Sequence, residues 1–183
     1  MARLLRGLMR IVLTLLLLLA AITAEAGRVR VQGEPGLVLK EQGGRTVLHL
    51  PGGSVPLGRG GPCDPCALQG ARLVGERPGA ALILLVTYQS RPGTPGGMCG
   101  AGEEKVLNVV SLNPRPREAV GLPLSSCWNN VEASGAPSWN GREGLLTAER
   151  WTPTSGAAPE RLTWRIDRDG RVAATERPSR NRH

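Results

Sequence analysis

Phenylalanine is absent from this chain of 183 residues; tyrosine occurs once and histidine twice. Each shortage excludes something. Without Phe, a core has to be filled by Leu, Val, Ile and the four Trp. A basic stripe interleaved with stacking aromatics, the footprint of nucleic-acid binding, is missing. The 23 Lys+Arg and 15 Asp+Glu, formal net charge +8, are spread along the chain rather than clustered. A serine triad needs a His base, yet His49 falls in a strand pattern and His183 in the terminal tail, and Gly-x-Ser-x-Gly does not occur. Long helices are excluded by 25 Gly and 15 Pro scattered throughout, since both residues break helices. What is present is hydrophobic residues at 40 %, grouped in runs, which is the pattern of a folding chain rather than a disordered one.

The first 26 residues, MARLLRGLMRIVLTLLLLLAAITAEA, read as an address. Arg3, Arg6 and Arg10 precede an apolar run from Ile11 to Ile22, and Ala24-Glu25-Ala26 offers the small-x-small pattern of a cleavage site. A secretory signal peptide cut between Ala26 and Gly27 is expected. The apolar run falls short of the roughly 20 residues of a spanning helix, and the best later run, Ala80–Val86, is shorter still, so no membrane span is expected after processing. No Cys follows the cut for lipid attachment, and no Arg pair marks a twin-Arg signal. Cleavage leaves 20 Lys+Arg against 14 Asp+Glu, a charge of +6. Arg over Lys, with abundant Ala, Gly and Pro, is the codon signature of a GC-rich bacterial genome. The expected location is therefore the periplasm or the exterior of a bacterium.

All four cysteines, Cys63, Cys66, Cys99 and Cys127, lie beyond the leader. An even count in an exported chain reads as two disulfides. Cys63-Asp64-Pro65-Cys66 has the spacing of a redox dithiol, but such motifs open a helix whose N-terminus lowers the thiol pKa, and no helical pattern follows here. Four thiolates can also hold zinc, but no second C-x-x-C exists and an oxidising compartment disfavours thiolates; no metal and no other cofactor is expected. The preferred pairing is Cys63–Cys66 with Cys99–Cys127, a crossed pairing staying open. The second bridge closes a loop of about 28 residues, worth roughly 3 kcal/mol in the chain-entropy model.

The remaining chain reads as strand, turn, strand. Arg28–Gln32 alternates polar and apolar. Gly36–Lys40 and Arg45–Leu50 flank the hairpin signal Glu41-Gln42-Gly43-Gly44. Residues 51–62 read as a loop, and Ala67–Leu73 fits a strand or one helical turn. Ala80–Tyr88 is the most hydrophobic run and predicts a central strand buried on both faces. Residues 91–102 cannot be regular. Glu103–Asn113 predicts a strand stopped by Pro114 and Pro116, Ser126–Val131 a short strand, Ala133–Gly141 a turn, and Gly144–Thr152 another extended segment. Arg161–Asp167 and Arg171–Thr175 meet across Arg168-Asp169-Gly170, with Leu162, Trp164 and Ile166 on one face. Seven to nine strands are expected. The fold class is all-β: a single antiparallel β-sandwich or small barrel built from hairpins over residues 27–176, stabilised by disulfides. A disordered basic tail at 177–183 completes it.

No catalytic constellation emerges. Glu103 and Glu104 are neighbours on a strand and point to opposite faces, so they cannot share a substrate; they read as solvated strand-end residues. Folding can pair Glu143 with Glu149, but nothing in their spacing indicates a glycosidase dyad. Asp167 and Asp169 belong to turn chemistry and are too few for a calcium loop. Gly58-Arg59-Gly60 and Gly100-Ala101-Gly102 open no helix and cradle no phosphate. Trp128, Trp139, Trp151 and Trp164 crowd the last third. Trp151 and Trp164 read as core. Trp139, in a Gly/Pro turn, and Trp128 are the candidate binding residues, since exposed Trp stacks on sugars and anchors protein partners.

The stretch Gly97-Met98-Cys99-Gly100-Ala101-Gly102-Glu103-Glu104, then a hydrophobic strand, then Ser126-Cys127 resembles small exported proteobacterial proteins of unassigned function that carry C-G-A-G-x-E. The resemblance covers about 35 residues. It implies a periplasmic β-protein in which Cys99 and Cys127 are bonded, carries over no catalytic residue, and leaves Cys63 and Cys66 outside it. The expected function is a non-enzymatic β-domain that binds a protein partner in the cell envelope, as an inhibitor or immunity protein does. The alternatives are a carbohydrate- or envelope-binding module using exposed Trp, and a thiol-disulfide oxidoreductase using Cys63 and Cys66. Neither the partner nor the oligomeric state is written in the sequence.

Overall fold

The computed structural model describes residues 27–58, 66–90, 102–153 and 156–175. The expected leader, Cys63, Cys99, most of the 91–102 loop, and the basic tail with His183 lie outside the described residues. Among the described residues there is no α-helix. Thirteen strands form instead, more than the seven to nine expected: β1 (Arg28–Arg30), β2 (Val38–Gln42), β3 (Arg45–Leu50), β4 (Gly53–Leu57), β5 (Cys66–Arg77), β6 (Ala81–Ser90), β7 (Glu103–Ser111), β8 (Arg117–Ser125), β9 (Glu132–Ala133), β10 (Ser138–Asn140), β11 (Leu145–Trp151), β12 (Glu160–Ile166) and β13 (Val172–Ala174).

The strands build three sheets in chain order, β1-β2-β3-β4, β5-β6-β7-β8 and β10-β11-β12-β13, with β9 also pairing β11. Every strand pair within them is antiparallel. None of the sheets closes on itself, so the small-barrel alternative is corrected: each is an open meander with two edges. The first hairpin shows how locally this is decided. Gln42 pairs Arg45 across Gly43-Gly44, whose φ values of +57° and +77° are those a two-residue primed turn requires and glycine adopts without strain.

The middle sheet has no solvent face to spare. β6 sends Leu82, Leu84, Val86 and Tyr88 into one cluster, shared with Leu39, Leu48, Val55 and Leu57 of the first sheet. Its alternate residues Ala81, Ile83 and Leu85 enter a second cluster with Leu146, Ala148, Trp164 and Ile166 of the last sheet. β7 splits likewise, Val106 and Val110 to the first cluster, Leu107 and Val109 to the second. The continuous apolar run thus does what its lack of alternation predicts. The two cores are not separated along the chain; they occupy opposite faces of one sheet.

Three readings need correction, and one strand went unread. Residues 51–62 contain β4, whose Val55 and Leu57 are buried while Ser54 and Pro56 are exposed; glycine and proline hid that alternation. Ser126–Val131 is not a strand: a single antiparallel bridge joins its two ends. Ala133–Gly141, expected as a turn, holds the last residue of β9 and all of β10. β8 escapes sequence reading altogether because of bulges: its register slips opposite Lys105/Val106 and again opposite Val109/Val110, and each slip interrupts period two. β5 slips twice as well, between Leu68 and Gly70 and between Leu73 and Gly75, which is why Ala67–Leu73 looked ambiguous.

The sheets are tied at their margins. Gln32 bridges β5, donating from its N to Ala71 O at 2.9 Å and accepting from Leu73 N at 2.9 Å. Arg77 at the end of β5 donates to Gly141 O (2.7 Å) and Ile166 O (3.3 Å), joining the middle sheet to the last one. The Asp167–Gly170 turn closes the last hairpin as expected, Asp167 Oδ1 accepting from Asp169 N and Arg171 N at 2.9 and 2.8 Å.

Ile83→Ala and Leu84→Ala remove adjacent side chains from opposite clusters. Each is expected to cost about 2–5 kcal/mol in urea unfolding; an unchanged midpoint for either would mean that its cluster is not a core.

Candidate functional site

The dipeptide Glu103-Glu104 opens β7, and strand alternation sends its two carboxyls opposite ways, as expected. The solvated reading holds only for Glu103, which pairs with Lys105 at 3.1 Å on the same face. Glu104 is corrected: it is fully buried, because it shares its face with Val106 and Val110. Its Oε1 accepts from Ser90 Oγ at 2.8 Å and from Cys127 N at 3.2 Å. One carboxyl therefore fastens the end of β6, the start of β7 and the turn that follows β8. A hydrogen bond of this kind contributes about 0.5–1.5 kcal/mol net.

The turn that Glu104 holds spans Cys127–Asn130. Ser126 and Val131 exchange backbone hydrogen bonds at 2.8 and 3.0 Å across its base. Ser126 Oγ, buried, accepts from Asn129 N at 3.1 Å and Asn129 Nδ2 at 2.9 Å. Asn130 takes a left-handed conformation, φ 49°, which Asn tolerates better than most residues, and donates to Cys127 O at 3.2 Å. On this fixed backbone stands Trp128, 45 % exposed and the sole exposed large hydrophobic among the described residues.

The other tryptophans are spoken for. Trp164 is buried in the second cluster. Trp139 is half-buried and packs against that cluster, its ring lying over Gly75 so closely that a Cβ there would fall 2.2 Å from Cδ1. Trp151, expected in the core, ends β11 half-buried and belongs to neither cluster. His49 is a half-buried strand residue whose Nε2 lies 3.2 Å from Gln42 Nε2. Glu149 is held by Arg161 at 2.6 Å rather than joined to Glu143. Cys66 begins a strand, not a helix, and neither it nor Cys127 is a free thiol. No group of three or more potential metal ligands occurs among the described residues.

A second polar cluster surrounds Tyr88. Burial raises its pKa above the ordinary 10.0; Glu118 and Glu41 push the same way, and a hydrogen bond with Thr46 opposes them. The carboxyls are engaged structurally: Leu68 N donates to Glu41 Oε1 at 2.6 Å and Gly58 N to Glu118 Oε2 at 3.1 Å. Both fasten backbone of one sheet to a side chain of its neighbour. The sequence signal for such residues was available only for Glu104, an acid on the buried parity of an apolar strand; Glu118 reaches its face through the bulge beside it.

Glu104→Ala strands the buried Ser90 hydroxyl and the part-buried Cys127 N–H and is expected to cost about 1–3 kcal/mol, with Glu104→Gln costing less because its amide oxygen still accepts; urea titration of both variants measures this. Since the folded pKa of Tyr88 is raised, the stability its neutral phenol contributes is complete below about pH 10 and is lost as pH rises through the folded value. Tyr88 is the single tyrosine, so tyrosinate absorbance reads it alone: a midpoint above 10.0 is expected in the native protein, returning toward 10.0 in urea. Comparison with protein-family models, with curated proteins and with solved structures finds no match, so the reading of this site rests on its geometry.

Proposed function

We propose that this chain is exported, cut after Ala26, oxidised into a disulfide-stapled β-sandwich of three layers, and works without catalysis by binding a protein partner in the cell envelope through the Trp128 turn. The observation that carries this reading is the contrast within Cys127–Asn130: a backbone held by Ser126, Asn130 and buried Glu104, with a large aromatic side chain left in water. Interfaces draw most of their energy from such rigid aromatic anchors, which lose little conformational entropy on docking. A bridge from Cys127 to Cys99, the pairing preferred here, stiffens the same turn; Cys63–Cys66 closes a local loop before β5. Trp139, seated on Gly75, takes no part.

The exposed ring flanked by Asn129 and Asn130 also fits a sugar, since aromatic planes stack on pyranose faces and amides hydrogen-bond hydroxyls. One experiment separates the two. Trp128→Ala is expected to leave the urea midpoint unchanged and to weaken capture of one stoichiometric partner from envelope extract by about 2 kcal/mol or more, about thirtyfold in Kd. Equal capture by both proteins would end the protein-binding reading. Quenching of the tryptophan fluorescence by peptidoglycan fragments that is lost in Trp128→Ala would move the assignment to carbohydrate.

A further inference from the structure

The face of the middle sheet that meets the last sheet is covered unevenly. β6 presents Ala81, Ile83 and Leu85 to the second cluster and then Thr87, which pairs with Lys105 of β7. Around Thr87 the covering chain is residues 133–137, Ala-Ser-Gly-Ala-Pro, too small to fill the space, and β5 passes with Gly70 at its bulge. The result is a half-open cavity of about 460 Å³, within the range of roughly 300–1,000 Å³ typical of small-molecule sites.

Its charge has one sign. Arg72 and Lys105 are the charged residues that line it, with Thr87 and Gln32 as neutral polar groups. Lys105 has a partner in Glu103, whose side chain is 58 % exposed. Arg72 is half-buried, and its guanidinium makes no ion pair or hydrogen bond among the described residues. A guanidinium partly withdrawn from water and facing a cavity without a carboxylate lacks the counter-charge that such groups normally find.

We propose that this cavity binds a small amphipathic carboxylate, its head taken in the planar fork of Arg72 with Lys105 alongside, its apolar body against Leu85, Leu124, Ala136 and Pro137. The fork matches a carboxylate with two parallel hydrogen bonds, and the apolar walls reward a short acyl chain. This site is separate from the Trp128 surface, although Leu124 and Ala133 lie on the two arms of the hairpin that bears Trp128 at its tip.

Calorimetric titration of the full processed chain with decanoate and with decanol tests the proposal. Decanoate is expected to bind once per chain and decanol at least tenfold more weakly. Arg72→Ala is expected to weaken decanoate binding at least tenfold. Ala136→Trp, placed on an exposed residue so that the fold is spared, is expected to abolish it by filling the cavity. No decanoate binding, equal affinity for decanol, or affinity within twofold in the Ala136→Trp variant would each overturn the proposal.

Discussion

The constraint on which this molecule depends is that one strand, β6, has to be dry on both faces. Leu82, Leu84 and Val86 face one way and Ala81, Ile83 and Leu85 the other, so neither flanking sheet can be removed without exposing half of the run to water. A two-layer arrangement would leave one of these faces uncovered, at about 25 cal/mol for each Å² of apolar surface. The first and last sheets are therefore both part of the same answer to one hydrophobic segment. Their own strands keep the alternation of half-buried sheets: Leu162, Trp164 and Ile166 inward, Arg161 and Arg165 outward.

Carboxyls do the stitching that backbone pairing cannot. Each sheet is a meander, so hydrogen-bonded ladders end at its edges. Glu41, Glu104 and Glu118 cross those ends, each accepting from backbone N–H of another element. This uses acidic side chains as acceptors inside an otherwise basic chain. Each of the three carboxyls is placed against a backbone donor of another element.

The same device sets the candidate binding surface. Buried Glu104 and Ser126 hold the Cys127–Asn130 turn from beneath, which leaves the Trp128 ring free on top. Where bulges displace β5, glycine at position 70 and the small residues of 133–137 fail to close the space between sheets, and the cavity beside Arg72 opens. Both sites arise where regular pairing stops.

Much of the architecture was legible in the chain. The all-β class, the Gly43-Gly44 and Asp169-Gly170 turns, the two-faced strand read at Ala80–Tyr88 and the inward face of the last hairpin all follow from local patterning, because turn conformations and period two are short-range properties. The opposite facing of Glu103 and Glu104 was legible for the same reason. β4, β8 and β10 were not: proline, glycine and bulges disturb the alternation that marks a strand, and pairing with a neighbour supplies what local propensity lacks. Which tryptophan stays in water was likewise undecided locally. Trp128 and Trp139 both sit among turn-forming residues, and only the approach of Gly75 from another strand covers one ring and not the other. Sequence determined the elements and their faces through contacts between near neighbours; tertiary structure decided burial, because the partner that buries a side chain comes from a distant part of the chain.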